Sequence, residues 1–178
     1  YQVDWRCDTT AIGPGQRAWT QLRFEQQGAP PMVRIGPGGA DLVLSISDAQ
    51  AVRAMRDLNV CHPERTCLVA ASGEGSVLPP WFSANWHRDR QLVADVEETC
   101  RRRFHTSRLA DVVLLGAAFQ SGWIPLTVDA IQSALQRIER RGHARLAEAF
   151  AFGRRAAVDA ALLSPERSAS PVDTPVRR

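Results

Sequence analysis

The 178-residue sequence contains no lysine: all 22 basic residues are arginine, set against 19 acidic residues for a net charge of +3. Such uniformity reads as a compositional bias. The clusters, Arg101 to Arg103, Arg140-Arg141 and Arg154-Arg155, each lie beside acidic or apolar residues. Tyrosine occurs once, at Tyr1. A nucleic-acid surface needs clustered charge interleaved with aromatic side chains, so no nucleic-acid partner is expected. No apolar run approaches the roughly 20 residues that cross a bilayer, which predicts a soluble chain with no membrane partner. Cys7, Cys61, Cys67 and Cys100 form neither a C-x-x-C pair nor a dense disulfide pattern. With no leader in view, a reducing cytoplasm is the expected compartment. Tyr1 sits inside a strand-like run, so the natural chain is expected to start further upstream.

The length suits one α/β domain over residues 1–163, followed by a disordered tail over 164–178 that is rich in proline, serine and arginine. Short extended runs separated by glycine and proline fill the first third. Val3 and Trp5 alternate with polar residues, Ala18 to Phe24 is a second such run, and Met32 to Ile35 is a short strand candidate. Asp41 to Ile46 and Thr66 to Ala71 are compact apolar runs, the pattern of buried parallel strands. Between them Ser47 and Gln50 form a capping-box pattern ahead of Ala51, Met55 and Leu58 at helical spacing. Strand, helix, strand predicts a right-handed βαβ crossover. The fold class is therefore Rossmann-like, a mostly parallel sheet flanked by helices.

The C-terminal half reads as helical. Asp89 is expected to cap a helix carrying Leu92, Val93, Val96, Cys100 and Phe104. Ser107 is expected to cap the next, whose Val112 to Leu115 and Ala117 to Phe119 are apolar nearly all round and predict a buried central helix. Gly122 and Pro125 stop it. Thr127 opens a helix through Ile131, Leu135 and Ile138 that Gly142 ends. A last helix carries Leu146, Phe150, Gly153 and Ala157 on one face.

Candidate chemistry is sparse. Glycine lets backbone N–H groups approach an anion closely, which makes the loop Gly13, Gly15, Gln16 and Arg17 the candidate cofactor-binding segment. Neither it nor Gly36 to Gly39 matches a full dinucleotide fingerprint, and turn chemistry explains both. Cys61, His62 and Cys67 have the spacing C-H-x4-C with no second pair, so buried free thiols are favoured over a metal site. No cluster-ligand spacing is present. Trp81, Phe82, Trp86 and His87 form an aromatic loop that either lines a pocket or partner surface or plugs the end of the sheet. His105 and His143 fall at helix boundaries, and no nucleophile, base and acid can be assembled into a triad. Glu97 and Glu98 face Arg101 and Arg102 at helical spacing as surface ion pairs. No catalytic residue and no metal ligand is expected.

Several segments resemble the γ subunit or domain of the 2-oxoacid:ferredoxin oxidoreductases, closest to indolepyruvate ferredoxin oxidoreductase. They are Val33 to Leu44, Leu114 to Leu126 with its Gly122 and Pro125 turn, and Ala147 to Arg154 with its aromatic and Gly-Arg pair. The likeness spans roughly residues 1–160. The family's opening strand and glycine-rich turn have no counterpart ahead of Tyr1, and Gly13 to Ala18 matches the family's loop only loosely. The resemblance implies one component of a multisubunit enzyme that decarboxylates an aryl 2-oxoacid such as indolepyruvate oxidatively to an acyl-CoA. Thiamine diphosphate, Mg, iron–sulfur clusters and coenzyme A are then implied for the whole complex, in partner subunits, with ferredoxin as acceptor. The chain itself would bind none of them alone and would contribute assembly and part of an active-site wall. A non-catalytic interaction or regulatory module of the same fold is the alternative, and a free-standing nucleotide-binding protein a third.

Overall fold

The computed structural model describes residues 2–10, 17–25, 27–28, 34–72, 86, 88–141 and 145–163. Two sheets are present among them. In the first, β1 (Gln2–Thr10) pairs antiparallel with β2 (Arg17–Glu25), with Trp5 opposite Leu22. The second is a parallel sheet in the order β3 (Leu42–Ser45), β4 (Cys67–Ala71) and β5 (Gln91–Ala94). This is the α/β architecture expected from the strand and helix patterns, with helices on both faces of the parallel sheet.

Central β4 is buried at every position, which a strand covered on both faces requires. Its alternation sorts the core. Val69 and Ala71 join the larger cluster, with Val113, Leu114 and Phe150 of the C-terminal helices, whereas Leu68 and Ala70 face Ala51 and Trp86. Helix α1 (Asp48–Arg56) connects β3 to β4 and starts as the pattern predicts: the Ser47 hydroxyl accepts the Gln50 N–H at 3.3 Å. Beside it, Ala40, Ala54 and Val60 close a small adjoining cluster.

Three sequence expectations change. The helix capped by Asp89 is instead a short 3-10 turn, Arg88–Arg90, followed by β5. A fully buried β4 needs hydrogen-bond partners on both edges, and Leu92 and Val93 supply the second edge. Their spacing fits helix and strand equally, so tertiary pairing decides. Helix α2 (Val96–Phe104) starts later, capped by Asp95, whose carboxylate accepts the Glu98 N–H at 3.0 Å. At α3 (Ala110–Gln120) Ser107 acts through its carbonyl, accepting the Ala110 N–H at 3.0 Å, and no side chain caps the helix. Arg34 and Ile35 are not in a strand; Met32 and Val33 lie outside the described residues.

Helix α3 is buried along most of its length. Gly122 turns the chain at φ 77°, and Thr127 caps α4 (Val128–Glu139) by accepting the Ala130 N–H. Helix α5 (Leu146–Val158) crosses α3 and ends in a 3-10 turn, Ala160–Leu163, whose Leu163 is buried. Gly142, His143 and the tail 164–178 lie outside the described residues.

Candidate functional site

Ligands of open α/β sheets gather at the carboxyl ends of the parallel strands. Here those ends are Ser45, Ala71 and Ala94, continued by Ser47, Ser72 and Asp95. Several of the polar groups described there are already engaged. Ser45 Oγ donates to the Ser47 carbonyl at 2.6 Å, Ser47 caps α1, the Ser72 N–H donates to the Ala94 carbonyl at 2.8 Å, and Asp95 caps α2. Thr99 Oγ1 adds a donor to the Asp95 carbonyl at 2.9 Å. Among the described residues, local folding therefore uses much of the hydrogen-bonding capacity at these strand ends.

The Gly36 to Gly39 loop behaves the same way. Gly38 donates to the Asn59 carbonyl, Gly39 to that of Gly36, and Ala40 to that of Val60, at 2.8, 3.0 and 2.9 Å. A cradle for phosphate presents such N–H groups outward, and these point into the fold. Gly38 at φ 62° is the position where a turn of this kind favours glycine.

Of the residues singled out in the sequence, Gly13, Gly15, Gln16, Trp81, Phe82 and His87 lie outside the described residues. Arg17 is the first residue of β2, opposite Thr10. Trp86 is buried against Ala51, Leu68 and Ala70, and its indole N–H donates to the Thr66 carbonyl at 2.7 Å. Thr66, also buried, donates to the Ala40 carbonyl and accepts the His62 N–H, each at 2.7 Å. This network, which the sequence did not reveal, ties β4 to the loops before β3 and before β5. Only an aromatic near a strand end signalled it.

The cysteines do not assemble. Cys61 is half-buried, His62 is exposed with Nδ1 accepting the Glu64 N–H, and Cys67 begins the central strand. Among the described residues no group of three His, Cys, Asp or Glu side chains is placed to hold a metal ion. Burial pushes the Cys61 thiol up to about 11. Burial, helped by Asp111 and Glu97, does the same to Cys100, also to about 11, and Cys67 is raised chiefly by burial. A thiol held protonated is a poor nucleophile and a poor ligand.

Glu97 and Glu98 pair with Arg101 at 2.9 and 3.1 Å on the surface of α2. At the far end of the core the Arg145 guanidinium donates twice to Glu148 and lies over Phe104, while Arg103 lies over Phe152. The hydrogen bonds from Arg145 lower the Glu148 carboxyl. These arginines cover the edge of a T-shaped Phe104–Phe152 pair.

Two glycines mark a close helix approach where α3 meets α5. A Cβ added at Gly116 would collide with the Phe150 carbonyl oxygen, and one at Gly153 with the carbonyl group of Val113. The two helices touch backbone to backbone, each through a glycine. Arg154, next to one of them, donates to Gln120 Oε1 at 2.9 Å and stacks over Phe119. Segments 114–126 and 147–154, distant in sequence, thus form one packed unit. No known protein-family model matches this chain, and no curated protein matches it at a significant level.

Proposed function

We propose that this chain is the γ-type component of a thiamine-dependent 2-oxoacid:ferredoxin oxidoreductase acting on an aryl or related 2-oxoacid such as indolepyruvate, and that it serves assembly and part of an active-site wall. One observation carries the reading: the two segments with the most distinctive resemblance meet at a close helix crossing, Gly116 against the Phe150 carbonyl and Gly153 against the Val113 carbonyl, so both motifs serve a single packing requirement.

Thiamine diphosphate, Mg, iron–sulfur clusters and coenzyme A belong to the partner subunits in this reading. The described residues do not fit them. The Gly38 and Gly39 N–H groups are spent on the chain's own carbonyls, and the protonated, buried Cys67 and Cys100 cannot serve as cluster ligands without unfolding β4 or α2. No chemical step runs through this chain.

Coexpression with thiamine- and cluster-binding proteins encoded beside it tests the reading. A stoichiometric complex that reduces ferredoxin with an arylpyruvate and coenzyme A is expected. A chain found alone and monomeric in its native extract overturns it. The second reading, a non-catalytic interaction module, is favoured by the outward apolar face of the β1–β2 hairpin; it predicts binding without any 2-oxoacid-dependent reduction.

A further inference from the structure

The β1–β2 hairpin is built inside out. Residues directly opposite each other in an antiparallel pair share a face, so Val3 with Phe24, Trp5 with Leu22, and Cys7 with Thr20 form one side. None of these six is charged. The charged residues Asp4, Arg6, Arg23 and Glu25 lie on the reverse, the side tied to the body of the fold: buried Gln21 accepts the Ile35 N–H at 2.7 Å and the Arg34 guanidinium covers the Trp19 ring. The uncharged face looks outward, with Trp5 70% exposed, Leu22 52% and Val3 47%.

We propose that this face binds a second copy of the chain, two hairpins stacking across a two-fold axis into a four-stranded sandwich. A two-fold contact sets a patch against itself, which penalises charge and suits a patch that has none. The area agrees. Val3, Trp5 and Leu22 expose roughly 350 Å² per copy, from about 150–250 Å² for a large aromatic and somewhat less for each aliphatic. With Cys7, Thr20 and Phe24 the pair buries on the order of 1,000 Å² in total, the lower bound of a specific interface. A two-stranded hairpin is marginal by itself, and stacking gives its apolar side the second layer that sheets need. The inference is independent of the oxidoreductase reading.

Sedimentation velocity of the full chain, from low to high micromolar concentration, tests it. A monomer–dimer equilibrium is expected, weakened at least about tenfold by Leu22→Arg or Trp5→Arg, as for a central interface residue. Arg6→Ala, on the reverse face, leaves it within about twofold. Circular dichroism establishes folding of each variant, and Trp5→Thr, which keeps strand propensity, replaces any that fails to fold. A monomer at every concentration, or a dimer that survives the face substitutions in folded protein, overturns the proposal. Neither result bears on complex formation with other subunits.

Discussion

Replacing Gly153 with alanine isolates the α3–α5 contact. In a solvent-facing helix the change would stabilise by about 1 kcal/mol through backbone entropy alone. Here the new methyl overlaps the Val113 carbonyl, with the carbonyl carbon 2.8 Å from it. Backbone cannot rotate aside as a side chain would. The helices must therefore separate by roughly an ångström to reach ordinary contact distance. Phe150, Val113 and Leu114, essentially inaccessible in the wild type, then lose a quarter to a half of their facing dispersion contacts, since a gap of about 0.5–1 Å has that effect. Overpacking costs of about 1–3 kcal/mol per site are usual where side chains can yield. A clash with backbone belongs at or above the top of that range, leaving a net loss of about 2–4 kcal/mol after the propensity gain. For a chain of this size that lowers the melting temperature by about 5–15 °C. Urea unfolding followed by circular dichroism measures it. Gly36→Ala, where a Cβ meets nothing within 4 Å, is the control and leaves stability within about 0.5 kcal/mol. Gly116→Ala combined with Gly153→Ala should cost less than the sum of the two, because one separation of the helices accommodates both methyls. Unchanged or increased stability in Gly153→Ala would refute the close crossing.

Trp86→Phe keeps most of the buried volume but strands the Thr66 carbonyl, and should cost about 1–2 kcal/mol in urea unfolding. Thr66→Val removes two hydrogen bonds at once and is expected to exceed it. Cys61 and Cys100 hold their protons to about pH 11 in the folded chain, against 9.0 for an ordinary thiol. The folded state then binds more protons than the unfolded state above pH 9, so their contribution is complete below that point and declines through about 11; chemical denaturation across that window reads it, and a rise in stability would contradict it. In native protein at pH 8, diluted to the monomer, Ellman's reagent should label exposed Cys7 rapidly, with buried Cys67 and Cys100 reacting only on unfolding.

Strands β3 and β4 and helices α1, α3 and α4 were legible because each couples an apolar run or a helical apolar period to a local stop or start, such as Ser47, Thr127 and Gly122. The strand β5 was not, since Gln91 to Ala94 is too short for periodicity to separate strand from helix; only the open edge of β4 decides. The Trp86–Thr66 hydrogen bond joins residues 20 apart through one carbonyl, and side-chain type gives no hint of such a partner. The hairpin's alternation at Val3 and Trp5 was visible, yet alternation carries no label for which side faces water. At the carboxyl end of the sheet, a serine or aspartate that could serve a ligand is indistinguishable in sequence from a helix cap, which is what Ser47 and Asp95 are.

The order of the parallel strands has a consequence for where a crevice could form. Progression from β3 to β4 to β5 runs in one direction across the sheet, whereas α/β proteins open a crevice where successive crossovers depart from neighbouring strands in opposite directions. The described strands contain no such reversal. The described part of the sheet is thus wound one way only, and among the described strands a cleft of that kind has no place to open.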